Sequence, residues 1–270
     1  MPKTDSIFAG SIPDIYDELL VPLIFESYAA DLARRVAATV PKTVLETAAG
    51  SGVVTRALAP LLTEAAEYVV TDLNQPMLDR AKQQQPLDNR IKWQQADALN
   101  IPFGEEVFDV ICCQFGVMFF PDRVAGYRSA RRSLRSGGQF VFNVWDRIEE
   151  NEFANSVTET ASRFFPDDPP LFLARTPHGY HDTGEIEADL RSAGFEDIEI
   201  HTIVDESRAE NPRIPAIAYC QGTPLRNELD ARGPSMINEI TDRASDEIEQ
   251  RFGSGPVAGK IKGHVVVAKK

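Results

Sequence analysis

The chain has 270 residues, of which 43% are hydrophobic, and a formal net charge of −13 at neutral pH. This length and composition are typical of a globular protein with one large domain, or with a domain that carries a substantial insertion. The acidic balance argues against nucleic acid and anionic membranes as partners, because phosphate binding requires clustered lysine and arginine.

The sequence shows no targeting or metal-binding pattern. No apolar run is long enough to insert into a membrane, and the first residues contain no signal-peptide core. Three cysteines form neither a disulfide framework nor a zinc pattern, and Cys112 and Cys113 lie in an apolar run. We therefore expect a cytoplasmic protein without a bound metal, and the sequence leaves the oligomeric state open.

The predicted elements begin with a helical arm. Apolar residues recur at helical spacing over residues 11–38, and Pro22 marks a break or a new helix start. Because this arm precedes the first strand, it either folds over the sheet edge as a lid or packs against the sheet.

Strands and helices then alternate, which predicts βαβ units and a parallel sheet. The predicted strands end near residues 46, 72, 96, 115 and 145 in the first half, and two more follow at 197–204 and 264–268. A first insertion at 147–182 and a second at 207–258 interrupt this alternation. The expected organisation is one domain over 1–270, with an arm at 1–40, a cofactor-binding core at 41–146, a cap at 147–182 and a remaining sheet region at 183–270.

The stretch Glu46-Thr-Ala-Ala-Gly-Ser-Gly52 joins the first strand to a helix. Glycines at positions 50 and 52 allow a sharp turn and a close approach of the backbone to a ligand. The helix that follows presents unpaired N–H groups beside that ligand. Strand, glycine turn and helix together are typical of a nucleotide-binding α/β domain.

Three acidic residues follow the first three strands, namely Glu46, Asp72 and Asp97. Ligands of open α/β sheets bind outside the carboxyl ends of the strands, so we expect these carboxylates to face one crevice. Asp72 follows Gly52 by twenty positions, the spacing at which a carboxylate accepts from both hydroxyls of a ribose. Asp97 is placed to accept from an adenine amine, with Leu73 or Met77 against the adenine ring.

At these residues the chain resembles the class I S-adenosylmethionine-dependent methyltransferases, near the branch of the ubiquinone and menaquinone C-methyltransferases. The resemblance covers about residues 16–195. It departs from the family pattern at Ala48 and Val54, where glycines often stand, and at Ser136, which replaces a usual proline. It implies a Rossmann-like α/β fold, doubly wound, with a seven-stranded sheet whose last strand is antiparallel.

The resemblance also implies a role for individual residues. The loop that comprises Ala48, Gly50, Ser51 and Gly52 would lie along the methionine part of the cofactor, near Glu46. Asp72 would bind the ribose, and Asp97 with the Ala98 backbone would bind the adenine. Gln114 and Phe115 would lie near the transferred methyl group, and Tyr16 would close over the cofactor. The implied product is S-adenosylhomocysteine.

The first insertion offers His178 and His181 as candidate catalytic bases, because histidine titrates near neutral pH. The alternative is that both are exposed loop residues, with Tyr180 as a packing residue between them. The aromatic residues of the cap either line an apolar substrate pocket or form its core; they are Phe153, Phe164, Phe165 and Phe172. We expect a small, apolar or aromatic substrate held by the cap and the arm.

Two other functions remain open at this stage. An NAD-dependent oxidoreductase shares the glycine turn and the acid after the second strand, but its glycine spacing would place a glycine at Thr55. A non-catalytic nucleotide-cofactor binder could retain the same fold, since a fold does not determine function.

Overall fold

The computed structural model describes residues 5, 8, 10 and 12–270. The parts of the predicted arm at positions 1–4, 6, 7, 9 and 11 lie outside the described residues. Among the described residues, no helix combines the length and the apolar character needed to cross a membrane.

Seven strands form one sheet in the order β3-β2-β1-β4-β5-β7-β6. The strands are β1 Thr43–Glu46, β2 Glu67–Asp72, β3 Ile91–Gln95, β4 Phe108–Gln114, β5 Leu134–Trp145, β6 Asp197–Ala209 and β7 Val257–Lys269. Strands β1 to β5 pair in parallel, whereas β7 runs antiparallel to both β5 and β6. The predicted α/β fold, with seven strands and an antiparallel last strand, is therefore confirmed. Strand order reverses between β1 and β4, where open α/β sheets bind ligands.

Helices cover both faces of this sheet. They are α1 Ile12–Ile15, α2 Glu26–Ala38, α3 Val53–Leu58, α4 Gln75–Gln84, α5 Arg123–Ser133, α6 Glu152–Phe164, α7 Phe172–Arg175, α8 Thr183–Ser192, α9 Arg213–Gln221, α10 Leu225–Arg232 and α11 Ile237–Phe252. Leu32 of α2 and Leu58 of α3 are buried on one face, and Tyr127 of α5 and Leu190 of α8 belong to the core on the other. Burying each such side chain contributes about 1.5–3 kcal/mol.

The arm is helical from Ile12 to Ala38, and Pro22 does not break it. A π-helix spans Tyr16–Phe25, contains Pro22, and joins α1 to α2. The rings of Tyr16 and Phe25, at its two ends, stack with centroids 5.2 Å apart. π-Helical segments are rare and often lie at functional sites. The prediction of a break or new start at Pro22 is therefore wrong.

The last two strands are longer than predicted, and the second insertion is shorter. Strand β6 continues to Ala209, and β7 begins at Val257, with these two residues paired. Strand β5 pairs with β7 only from Gly263 onward. The segments 204–209 and 257–262 therefore form a two-stranded extension beyond the end of β5. Helix α6 packs closely against this extension. A Cβ at Gly259 would come within 3.0 Å of the Phe153 ring.

Candidate active site

A cavity of about 300 Å³ opens at the carboxyl ends of β1, β2, β3 and β4. We call it the first chamber. Its lining residues are Phe8, Tyr16, Ala48, Gly50, Asp72, Leu73, Asn74, Met77, Ala96, Asp97, Ala98, Leu99, Gln114, Phe115, Gly116, Phe119, Phe120 and Pro121. Ten of the thirteen residues predicted to bind the cofactor therefore line one cavity, although they come from separate segments of the chain.

The glycine loop has the left-handed backbone that its sequence implies. Gly50 and Gly52 have φ angles of 58° and 85°, and Ala48 has φ 51°. A Cβ at Gly52 would come within 2.9 Å of the Ala81 Cβ, so this glycine allows α3 to approach α4. Ala48 and Phe115, with φ 48°, are two non-glycine residues in this strained region that both line the chamber. Such backbone strain concentrates at functional sites.

Asp72 is buried in the wall of the first chamber and is held in place by the backbone. Its carboxylate accepts from the Gly50 N–H at 2.8 Å and from the Asn74 N–H at 2.7 Å, one on each oxygen. Burial raises its pKa to about 6. Each oxygen retains a further lone pair, so the carboxylate can still accept from two hydroxyls of a ligand.

Asp97 follows β3 at the edge of the same chamber and is exposed. One carboxylate oxygen accepts from the Leu99 N–H at 2.9 Å and caps a short turn. Ala98, Leu73 and Met77 line the chamber beside it. This arrangement places a hydrogen-bond acceptor beside apolar side chains.

Glu46 does not face the crevice, contrary to expectation. Its buried carboxylate accepts from the hydroxyls of Tyr68 and Thr55 on a single oxygen, beneath α3. Burial raises its pKa to about 7. Ser51 and Gly52 also lie outside the lining of the chamber. The alternation of side chains along β1 could not reveal this orientation, because the strand is buried on both faces.

Gln114, which the resemblance placed near the transferred methyl group, lines the first chamber. It lies at the end of β4, and its side-chain amide donates to the Phe25 carbonyl at 2.9 Å. Its side-chain oxygen is buried and has no partner among the described residues. A buried acceptor of this kind requires a donor, so a ligand with an ammonium or hydroxyl group would satisfy it.

A second chamber of about 60 Å³ lies under the arm and the two insertions. Its lining residues are Phe8, Tyr16, Leu20, Ile24, Phe25, Phe115, Met118, Phe119, Trp145, Phe172, Leu173, Pro177, His178, Tyr219, Thr223 and Pro224. Four of these residues, namely Phe8, Tyr16, Phe115 and Phe119, also line the first chamber. The Phe115 and Trp145 rings stack with centroids 3.7 Å apart and form part of this wall.

His178 is a buried residue of the second chamber. Its Nδ1 lies 2.9 Å from the Asp146 carbonyl oxygen. A carbonyl can only accept, so Nδ1 carries the proton and Nε2 is a free acceptor. Burial lowers the pKa of His178 to about 4, so the ring is neutral near pH 7. His181 is half-buried and does not line either chamber.

The walls of the second chamber differ in part from the prediction. Phe172 lines it, but Phe153, Phe164 and Phe165 do not. Phe153 instead packs edge-on against Phe252 of α11. The second insertion, which the prediction did not include in the pocket, contributes Tyr219, Thr223 and Pro224. Its helices carry no distinctive motif, so only three-dimensional packing reveals them as part of the site.

The arm is fastened over the first chamber by ion pairs. Asp17 contacts Arg56 of α3 at 3.1 Å and Arg80 of α4 at 3.0 Å. Arg56 also donates to the Ser51 carbonyl at 2.7 Å. These contacts tie the residue next to Tyr16 directly to the glycine loop.

The described residues offer no candidate metal site. In the part of the chain that the structure describes, no group of three or more His, Cys, Asp or Glu side chains is arranged to hold a metal ion.

Part of the chain is similar to known proteins. Residues 45–142 match the family model described as a methyltransferase domain. The ubiquinone/menaquinone biosynthesis C-methyltransferase UbiE of Escherichia coli is 26% identical over 184 residues, which cover 60% of this chain and 69% of that protein. The UbiE protein of Klebsiella pneumoniae is 24% identical over 174 residues, with the same coverage.

Solved structures show the same fold. A candidate methyltransferase of Bacillus halodurans superposes with a TM-score of 0.59 at 21% identity, covering 90% of this chain and 99% of that one. The [4+2]-cyclase SpnF superposes with a TM-score of 0.56 at 14% identity, covering 91% of this chain and 81% of that one. One fold therefore carries different reactions, and the reaction must be argued from the site.

Proposed function

Because this chain belongs to the class I S-adenosylmethionine-dependent methyltransferases, we propose that it transfers a methyl group to a small apolar or aromatic metabolite. The first chamber holds the cofactor, and the second receives the acceptor. This proposal rests on one observation: the two chambers share a wall, which is formed by Phe8, Tyr16, Phe115 and Phe119. The two chambers therefore adjoin at these four side chains, and the proposal requires these side chains to let a group bound in one chamber contact a group bound in the other.

The residues of the first chamber fit the chemistry of this cofactor. The Asp72 carboxylate offers two acceptors to the vicinal hydroxyls of a ribose. Leu73 and Met77 give an adenine an apolar surface, and Asp97 accepts from its exocyclic amine. The unpaired side-chain oxygen of Gln114 is a suitable acceptor for the ammonium of the methionine part.

The cofactor supplies an electrophilic methyl group on a sulfonium, and the protein supplies position and electrostatics. Tyr16 and the arm cover the cofactor, and the apolar wall excludes water from the acceptor. His178 Nε2 accepts a hydrogen bond from a hydroxyl of the acceptor molecule. It thereby orients this hydroxyl in an otherwise apolar chamber.

The pKa of His178 limits its role as a base. A phenol has a pKa of about 10, whereas that of His178 is about 4. Complete proton transfer before bond formation would cost roughly 8 kcal/mol, since each pKa unit corresponds to about 1.4 kcal/mol. We therefore assign His178 the role of a hydrogen-bond acceptor. It takes the proton of the substrate hydroxyl only while the oxygen of that hydroxyl forms its bond to the methyl group. His181, which lines neither chamber, has no part in this proposal.

A nicotinamide-dependent reaction is not favoured, because the matched family model is that of a methyltransferase. The test is thermal unfolding with S-adenosylhomocysteine and, in parallel, with NAD. At a hundredfold excess over its dissociation constant, a ligand of the folded state stabilises it by about 2.7 kcal/mol. We expect S-adenosylhomocysteine to raise the melting temperature and NAD to leave it unchanged. The reverse pattern would refute the assignment.

A further inference from the structure

A cavity outside the candidate active site lies at the opposite edge of the sheet. Its volume is about 330 Å³, and we call it the basic cavity. Its lining residues are Glu105, Glu106, Arg128, Arg131, Arg132, Ala193 and Lys270. Glu106 precedes β4 and Lys270 follows the antiparallel strand β7, so the cavity lies where the parallel strands begin. It shares no residue with either chamber.

Three arginines of helix α5 line this cavity, and none of them forms an ion pair. In the described part of the chain, every arginine other than Arg128, Arg131 and Arg132 has a carboxylate oxygen within 4.0 Å. The formal net charge of the whole chain is −13, so acidic partners are abundant elsewhere on the molecule. The three cations of the basic cavity nevertheless remain uncompensated.

Backbone contacts hold two of these guanidinium groups in place. Arg128 donates to the Ser192 carbonyl at 3.1 Å. Arg132 donates to the Ile101 carbonyl at 2.7 Å. The Arg131 Nε is buried and has no hydrogen-bond partner among the described residues. Each guanidinium carries five N–H donors, so most donors of the three side chains are available to a ligand. A buried donor without a partner is rare and calls for an explanation.

The position of these arginines on their helix accounts for only part of this charge. Cations are favoured near the last carbonyl groups of a helix. Arg131 and Arg132 lie in the last turn of α5, but Arg128 precedes it. The helix dipole also supplies no acceptor for the buried Arg131 Nε. Lys270, in contrast, is already paired, because its Nζ donates to the Leu134 carbonyl at 2.7 Å and lies 3.5 Å from the Glu106 carboxylate.

We infer that the basic cavity binds a small molecule through a phosphate or diphosphate group. Its lining carries four cations against two carboxylates, and the resulting charge of +2 matches a phosphate dianion. Guanidinium groups bind phosphate oxygens in bidentate pairs, and a terminal phosphate offers three oxygens to three arginines, whereas a carboxylate offers only two. The concave shape and the volume are typical of a small-molecule site. This site is separate from the proposed methyl transfer.

The test is calorimetric titration of the full chain with inorganic pyrophosphate, inorganic phosphate and malonate at one low ionic strength. Malonate is a dicarboxylate dianion, so it measures what charge alone contributes. We expect pyrophosphate to bind most tightly, phosphate less tightly and malonate most weakly. The affinity for pyrophosphate should fall as salt is added, because salt screens partly exposed charges.

Arg131→Gln removes the side chain whose buried Nε lacks a partner, and it should weaken pyrophosphate binding by about tenfold. Arg128→Gln changes an exposed side chain and should weaken this binding severalfold, so the test does not depend on the folding of a single variant. The matched control is Arg243→Gln, which removes an exposed arginine that pairs with Asp246 outside the basic cavity. This control should leave the affinity for pyrophosphate unchanged.

Equal weakening by Arg128→Gln and Arg243→Gln would mean that net charge alone attracts the anion, and this would overturn the inference. Equal affinities for malonate and pyrophosphate would also overturn it, as would the absence of pyrophosphate binding at about 10 mM.

The proposed function is tested separately, by the binding of S-adenosylhomocysteine. Saturation with S-adenosylhomocysteine should leave the affinity for pyrophosphate unchanged, because the basic cavity and the first chamber share no residue. Competition between the two ligands would place pyrophosphate in the first chamber and would refute the basic cavity as its site. Pyrophosphate binding that depends on Arg131 would support the inference even if S-adenosylhomocysteine did not bind.

Discussion

Asp72 combines a fixed position with an unusual acidity. Two backbone N–H groups hold its carboxylate, yet burial raises its pKa to about 6. The group is therefore ionised at pH 7 and becomes protonated as the pH falls below 6. A protonated carboxyl loses acceptor capacity for ribose hydroxyls.

Cofactor affinity should consequently fall at acid pH. If the ionised form of Asp72 is the binding form, the affinity for S-adenosylhomocysteine at pH 5 should be about tenfold lower than at pH 7. Calorimetric titration between these values measures this dependence. Asp72→Asn should bind more weakly at pH 7 and should lose this part of the pH dependence. An identical pH profile in the folded variant would place the ribose elsewhere.

Glu46 has the same sign of shift but a different role. Its pKa rises from 4.5 to about 7 on folding, so the folded state binds the proton more tightly than the unfolded chain. Its contribution to stability is fully present below pH 4.5 and is lost as the pH rises through 7. The shift corresponds to about 3 kcal/mol.

Glu46→Gln should therefore stabilise the protein mainly at alkaline pH. The amide stays neutral and can still accept from the hydroxyls of Tyr68 and Thr55. The difference in the free energy of unfolding should be small near pH 5 and should approach about 3 kcal/mol near pH 8. Urea unfolding measures it, with the exposed Glu105→Gln as the control for loss of a carboxylate. A constant difference across this pH range would mean that Glu46 is ionised throughout.

At the scale of elements, the arm is held by charge as well as by apolar packing. Asp17 connects the π-helix to α3 and α4 through two arginines, and its side chain is only 8% exposed. Asp14 contacts Arg80 at 3.3 Å, but its side chain is 61% exposed. Exposed ion pairs contribute little, whereas a partly buried pair that links two elements contributes more.

Asp17→Asn should loosen the arm over the first chamber. We expect the affinity for S-adenosylhomocysteine to fall severalfold, because Tyr16 and the glycine loop lose their common support. Asp14→Asn, the matched control, should bind nearly as well as the wild type. Titrations at low and high salt would test the same contrast, because salt screens the exposed Asp14–Arg80 pair more strongly than the ion pairs of the buried Asp17. Equal affinities in both variants would mean that apolar contacts alone hold the arm.

On the scale of the whole molecule, the sequence predicted the parts of the fold that depend on local patterns. The first five strands could be located because each is a short run of β-branched and aromatic residues. Segments with helical periodicity and glycine turns separate these runs. Asp72 and Asp97 were found because each follows such a strand. Ten of the thirteen residues predicted to bind the cofactor line the first chamber, and several of these, such as Tyr16 and Gln114, were predicted from the family resemblance and not from local patterns.

The remainder depends on contacts between distant parts of the chain. Strand β6 is an edge strand with polar residues on it, so its extension to Ala209 resembles a loop in sequence. The side chain of Glu46 turns toward Tyr68, twenty-two positions away, and Tyr219 reaches the second chamber only through the packing of α9. The π-helix around Pro22 likewise has no simple sequence signature.

The two-stranded extension of β6 and β7 has a consequence for how such an enzyme can diversify. Helices α9 to α11 leave the sheet at Ala209 and return at Val257, and these two residues pair with each other. The whole segment between them is therefore closed at its base by a ladder that does not contribute to the first chamber. The segment itself contributes no residue to the lining of the first chamber, and it contacts that chamber's residues through the packing of Gly222 on the arm beside Tyr16. We therefore expect preferences for the methyl acceptor to vary more readily in this segment than in the residues proposed to bind the methyl donor.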